Sequence, residues 1–182
     1  MLPSEYIKTH KLAILSINCL NLIDKLILDS RIANGKCPKC AYILGTVKHE
    51  TANTYAPIKE YGQGKGHTYG NFDPKTSQAY YGRGYIQLTW KGNYERFGQL
   101  LKIDLVNKPD LALDQNIAYN IMILGVNNGL FTGKKLDDYL KPPKKDYVGA
   151  RRIINGTDKA SLIAGYAQSF EDLLNKVIPN VK

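Results

Sequence analysis

Between residues 52 and 80 the chain carries Pro57, Gly62, Gly64, Gly66, Gly70 and Pro74 in a polar, tyrosine-bearing run, and apolar residues recur at helical spacing on both sides of it. Glycine and proline at that density break helices and weaken strands, so this stretch is expected to be irregular. A loop of such length inside a compact chain is usually functional or disordered. Here it directly follows a candidate acidic residue, Glu50, and a functional loop is the expectation.

On the upstream side, Leu12, Leu15, Cys19, Leu22 and Leu26 fit one amphipathic first helix, broken by Asn34-Gly35. Pro38 suits the entry to a second helix over 40–51, whose apolar side is Ile43, Leu44 and Val47. Downstream, Trp90, Tyr94, Phe97 and Leu101 keep the helical period, with Thr89 placed to cap them. Ile117, Ile121 and Leu124 mark a helix over 114–128 that ends near Gly129. A short segment around 136–140 stops at Pro142-Pro143, and another over 147–154 closes at Asn155-Gly156. The last helix, 158–178, presents Leu162, Tyr166, Phe170, Leu173 and Val177. With 182 residues and no internal repeat or linker, the expected architecture is one mainly α domain spanning 1–182. Residues 1–36 are expected to form an N-terminal helical segment packed on it.

Composition narrows the partners. Lys plus Arg number 25 against 16 Asp plus Glu, a formal charge of +9, which favours polyanions. The basic residues are dispersed and no DNA- or RNA-binding motif accompanies them, so nucleic acid is not expected. The uncharged run 12–23 is too short to cross a bilayer and lacks a cleavage signal. The chain is therefore expected to be made in the cytoplasm, without stable membrane insertion. Cys37 and Cys40 have C-x-x-C spacing, but no second ligand pair accompanies them, and they read as two thiols in a loop ahead of a helix. No metal and no cofactor are expected.

Two acidic residues and one polar string carry the chemistry. Glu50 lies three residues after Val47 and seven after Ile43, so a helix turns it toward its own apolar side. Partial desolvation there disfavours the charged form of a carboxyl group, as a general acid working near neutral pH requires. Glu60 follows on the loop. Two carboxylates on different elements can flank a cleft, and a separation of about 6.5–9.5 Å leaves room for a water and inverts the anomeric centre of a glycoside. Read as an extended strand, residues 80–90 put Tyr81, Arg83, Tyr85, Gln87 and Thr89 on one polar, aromatic face and Ile86, Leu88 and Trp90 on a core face.

The runs His49-Glu50-Thr51, Tyr81-Gly82-Arg83-Gly84-Tyr85-Ile86-Gln87-Leu88-Thr89 and Asn93-Tyr94 closely resemble family 19 glycoside hydrolases, the plant-type chitinases and related bacterial and phage endolysins. Phe131 to Leu136 and Ala150 to Gly156 are similar to the endolysin-type branch, and the likeness runs from about Ala41 to the C-terminus. It implies a lysozyme-like fold, two mainly helical lobes around a substrate cleft. It also implies roles: Glu50 as general acid, Thr89 as the hydroxyl holding the attacking water, and Gln87, Asn93 and Asn155 lining sugar subsites. Tyr81 and Arg83 bind sugar or brace the cleft. Glu60, on the shortened loop of the endolysin-like branch, is the candidate general base.

The function expected from these residues is inverting hydrolysis of β-1,4 bonds in N-acetylated amino-sugar polymers by a monomer. Peptidoglycan is the preferred substrate, because the positive charge suits an acidic wall reached after release from the cell. Chitin is the alternative substrate. A lytic transglycosylase and a non-catalytic glycan binder are the competing classes.

Overall fold

The computed structural model describes residues 1–11, 13, 15–32 and 37–180. Eight α-helices and two short strands occur among the described residues: α1 Pro3–Thr9, α2 Ile17–Leu28, α3 Cys37–Glu50, β1 Ile58–Lys59, β2 Arg83–Gly84, α4 Lys91–Leu101, α5 Gln115–Asn128, α6 Leu136–Leu140, α7 Tyr147–Ala150 and α8 Ala160–Val177. The chain divides into two compact units, one made of residues 1–55 and 123–182 and the other of 56–122. The boundary on the C-terminal side falls within α5.

In the first unit, α3 is the central helix. Every residue from Cys40 to Val47 is buried, the pattern of a helix enclosed on all sides rather than lying on a surface. Its main partner is α8. At Gly45 a Cβ would stand 2.8 Å from the Ala167 backbone nitrogen, so the two helices meet with no side chain between them. The buried face of α8 is Ala160, Ile163, Ala167, Phe170, Glu171, Leu174 and Val177, with Leu162 exposed. The expected face, with Leu162, Tyr166 and Leu173, is thus turned by about one residue. Close contact at Gly45 selects the small side chain of Ala167, which a search for bulky periodicity passes over.

The N-terminal reading is also corrected. Instead of one helix there are two, because Ser16 caps α2 by accepting the Cys19 amide at 3.2 Å. Ser4 ties α1 to α2: its amide and hydroxyl both donate to Asp24, at 2.7 and 2.5 Å. Leu12 and the Asn34-Gly35 break lie outside the described residues. Cys37 and Cys40 belong to the first turn of α3, not to a preceding loop, and Cys40 is a buried core residue facing the Leu26 carbonyl.

The second unit is mostly turns. β1 pairs antiparallel with β2, Ile58 opposite Gly84 and Lys59 opposite Arg83. The loop between them closes on itself where the Gly64 and Gly70 backbones touch; a Cβ on Gly70 would lie 2.1 Å from the Gly64 oxygen. The predicted strand over 80–90 does not run straight. Gly84 (φ +88°) and Gln87 (φ +55°) reverse the chain, and Arg83 and Leu88 exchange backbone hydrogen bonds of 3.2 and 2.8 Å. The two-residue alternation therefore fails, and Trp90, assigned to the core face, is 54% exposed.

The Gly45 contact gives a test. Gly45→Ala is expected to lower stability by about 1–3 kcal/mol through overpacking. Gly165→Ala, in a helical position with open space around it, is expected to raise stability by roughly 0.5–1 kcal/mol. Thermal unfolding of the two variants checks both signs.

Candidate active site

Glu50 is the last residue of α3, where unpaired carbonyls form the negative end of the helix dipole. A carboxylate is poorly placed there without a counter-charge. Arg151 supplies one, its Nη1 donating to Glu50 Oε1 at 2.6 Å while its Nε donates to the Asp158 carbonyl at 3.1 Å. Both side chains are sheltered, Arg151 at 3% and Glu50 at 15% exposure. The helix face predicted the desolvation of Glu50 but not this partner.

α3 positions both members of the pair. From mid-helix, the Tyr42 hydroxyl donates to the Ala150 carbonyl at 2.7 Å, holding the residue just before Arg151. Asp146 caps α7 through the Gly149 amide at 2.7 Å, fixing the approach to that turn. Thr51, fully buried, donates to the Val47 carbonyl and accepts the Tyr55 amide, so its hydroxyl guides the chain out of the helix directly after Glu50. Asn155 belongs to the same neighbourhood: its amide donates to the Arg151 carbonyl at 3.0 Å, and its exposed side chain accepts from Gly156. The first unit thus brings together Glu50, Arg151 and Asn155.

The second unit gathers the rest. Glu60 is held at three points: its amide donates to the Gly82 carbonyl at 2.8 Å, Oε2 accepts the Gly82 amide at 3.0 Å, and Oε1 accepts the Tyr69 hydroxyl at 3.0 Å. Burial, then the neighbouring carboxylate, pushes the Tyr69 phenol up, so it stays a donor through the neutral range. A Cβ at Gly82 would meet Gln87 Oε1 at 2.9 Å, Gln87 Cβ at 3.2 Å and Glu60 Cβ at 3.3 Å, so a side chain there would displace Gln87.

Gln87 is half-buried, and its Nε2 donates to the Ile58 and Gly84 carbonyls at 3.2 and 3.1 Å. Thr89 Oγ1 donates to the Gln87 carbonyl at 2.8 Å, and Asn93 Nδ2 donates to the Thr89 carbonyl at 2.7 Å. The expectation that Thr89 caps α4 is corrected: Trp90 occupies the N-cap with no side-chain cap bond. Thr89 Oγ1 instead commits its proton to the neighbouring turn and keeps its lone pairs for an incoming donor.

Of the two roles open to Arg83 and Tyr81, bracing describes their contacts. The Arg83 guanidinium is 4% exposed; it donates to Asp110 Oδ1 (2.8 Å), the Ala79 and Tyr81 carbonyls and the Tyr94 hydroxyl, and it lies 3.7 Å from the Tyr81 ring centroid. Burial alone raises the Asp110 carboxyl, but hydrogen bonds from Lys59 and Arg83 outweigh it and hold the group below the usual carboxylate range. On the same unit, Asp73 is lowered to about 2 by its hydrogen bond from Lys91 and those from the Lys75 and Thr76 amides.

Sequence reasoning missed Arg151 and Tyr69 as site residues. Arg151 stood within the Ala150–Gly156 run, but nothing in its spacing pairs it with a residue 101 positions away. Tyr69 was one of 13 tyrosines with no motif to single it out. A cavity of about 300 Å³ also lies in the first unit, lined by Tyr55, Tyr166, Phe170 and Leu173 among others; none of the predicted site residues borders it.

Comparison with known proteins places the chain. The pattern of the family described as chitinase class I, the family 19 glycoside hydrolases, matches residues 34–126, just over half the chain. The chain belongs to glycoside hydrolase family 19. It is 33% identical over 90 residues to an endochitinase of Phaseolus vulgaris, a match covering 42% of this chain and 27% of that protein. Over 47 residues it is 53% identical to inactive chitinase-like protein 1 of Hevea brasiliensis, covering 25% and 15% of the two chains. The matches span about a third or less of the curated relatives. The crystal structure of chitinase C from Streptomyces griseus superposes with a TM-score of 0.64 over 87% of this chain and 83% of that one, at 23% identity, which establishes a shared, mainly helical fold.

Arg151→Met strands Glu50 at a helix C-terminus, and the expected loss is about 3 kcal/mol. Glu50→Gln in the same chain is expected to restore much of that loss, a coupling that denaturant unfolding of the double-mutant cycle measures. For Asp73, the depressed value means stability that is fully present above about 3.9, the ordinary carboxylate pKa, and lost as pH falls through about 2. Melts between those limits are expected to slope downward with acid, and Asp73→Asn to flatten the slope.

Proposed function

We propose that this protein hydrolyses β-1,4 bonds between N-acetylated amino sugars by direct water attack, with chitin-type strands as its substrate class. The observation that carries this reading is the pairing of each motif carboxylate with its own fixed partners: Glu50 with Arg151, and Glu60 with Tyr69 and the Gly82 amide. A relative bearing the word inactive in its name makes that point necessary, because family membership by itself does not establish turnover.

In this reading the protonated form of Glu50 gives its proton to the glycosidic oxygen as the bond from that oxygen to the anomeric carbon breaks, and Arg151 stabilises the carboxylate that this leaves. Glu60 takes a proton from a water whose oxygen forms the new bond to the same carbon from the opposite face. Thr89 contributes through polarity. Its own proton is held by the Gln87 carbonyl, so Oγ1 acts as an acceptor that orients the water. Asn155 and Asn93 are the candidate sugar-binding amides, while Gln87 serves the turn that carries Thr89.

Chitin takes precedence over the peptidoglycan expected from charge because the matched relatives are named as chitinases. Peptidoglycan stays as the second reading on one observation, the formal charge of +9, which suits an anionic wall.

Purified protein is expected to release the inverted, α-configured product from N-acetylglucosamine oligomers, read by NMR, and to act more slowly on peptidoglycan. Glu50→Gln and Glu60→Gln are each expected to lower kcat by on the order of 10²–10⁴. A retained β anomer, 1,6-anhydro products, or near wild-type turnover by Glu60→Gln would each overturn the assigned mechanism.

A further inference from the structure

Trp90 is the only tryptophan in the chain, and the fold places it at a double disadvantage. Its indole is 54% exposed, although indole is a large ring that proteins normally cover. Its backbone has φ +73° and ψ 132°, a conformation that β-carbon sterics make costly for any residue but glycine. Hydrogen bonds on both sides impose that conformation: the Trp90 amide donates to the Tyr80 carbonyl at 2.9 Å, and its carbonyl accepts the Asn93 amide at 2.9 Å and the Tyr94 amide at 3.3 Å. Glycine would carry less strain at this position, yet tryptophan stands there.

The ring's neighbours indicate a use. Tyr69 meets the indole edge-on, with centroids 5.3 Å apart and planes at 76°. His67 stacks on Tyr69 at 4.9 Å and 7°, supporting it. The Tyr69 hydroxyl ends on the carboxylate of Glu60. One tyrosine therefore links the exposed indole to the candidate base.

We infer that Trp90, backed by Tyr69, is a stacking platform for one pyranose ring of the glycan, seated next to the sugar that Glu60 serves. A pyranose presents a face of axial C–H groups to an aromatic plane and keeps its hydroxyls at the rim, which suits a ring with one apolar face and polar surroundings. This assignment rests on the glycosidase reading above.

The lone tryptophan is its own reporter. In the Glu50→Gln protein, titration with a chitin tetramer is expected to shift Trp90 emission to the blue and protect it from acrylamide quenching. Trp90→Gly in the wild-type background is expected to keep or raise Tm, because it relieves the backbone, while weakening oligomer binding by roughly tenfold, the equivalent of about 1.4 kcal/mol. Trp90→Phe should recover part of that affinity. A fall of several degrees in Tm for Trp90→Gly with unchanged KM would show a structural ring and overturn the platform. Unchanged emission while calorimetry records binding overturns the platform and leaves the glycosidase reading intact. If neither calorimetry nor turnover detects the oligomer, that reading fails and the platform falls with it.

Discussion

The buried guanidinium of Arg83 is the point on which the second unit is organised. A cation with 4% exposure is costly unless its donors are matched, and here Ala79, Tyr81, Tyr94 and Asp110 match them. Those contacts draw together the segment before β2, the start of α4 and the turn at Pro109–Leu113. The hairpin they hold carries Gly82 on one side and Gln87 to Thr89 on the other. The carboxylate of Glu60 and the hydroxyl of Thr89 owe their places to that hairpin, although neither touches the arginine.

The first unit solves a similar problem with different parts. α3 ends on an acid where the helix dipole disfavours one, and its own mid-helix tyrosine holds the turn that returns the neutralising arginine. The close seating of α3 on α8 at Gly45 keeps that frame rigid. In both units a buried arginine does the bracing. The difference lies in what each guanidinium faces: Arg83 faces structural carbonyls and a rim aspartate, whereas Arg151 faces the candidate acid itself.

Much of the fold was legible because long helices announce themselves by period. α3, α5 and α8 fall near their expected limits, and the irregular run after Glu50 is irregular. Errors arose where contact geometry overrides residue size. α8 turns Ala167 inward because α3 approaches too closely there for leucine, a choice that a stripe of bulky residues does not reveal. The run 80–90 alternates like a strand, but a left-handed Gln87 folds it, and a non-glycine residue in that conformation leaves no mark in a sequence. The candidate site was legible in its motif residues and illegible in its supports. Glu50, Glu60 and Thr89 stand in recognisable strings, while Arg151 and Tyr69 reach them only through the folded chain.

Gly82 has a consequence for which acid can occupy position 60. Its backbone grips residue 60 twice, the carbonyl taking the Glu60 amide and the amide donating to the Glu60 carboxylate. The span between these two grips is set by the side chain's length, two methylenes from backbone to carboxyl. Aspartate has the same charge but is one methylene short, and could keep the first grip only by giving up the second. The hairpin thus acts as a caliper. It tells two chemically equivalent acids apart by reach alone, before any substrate arrives.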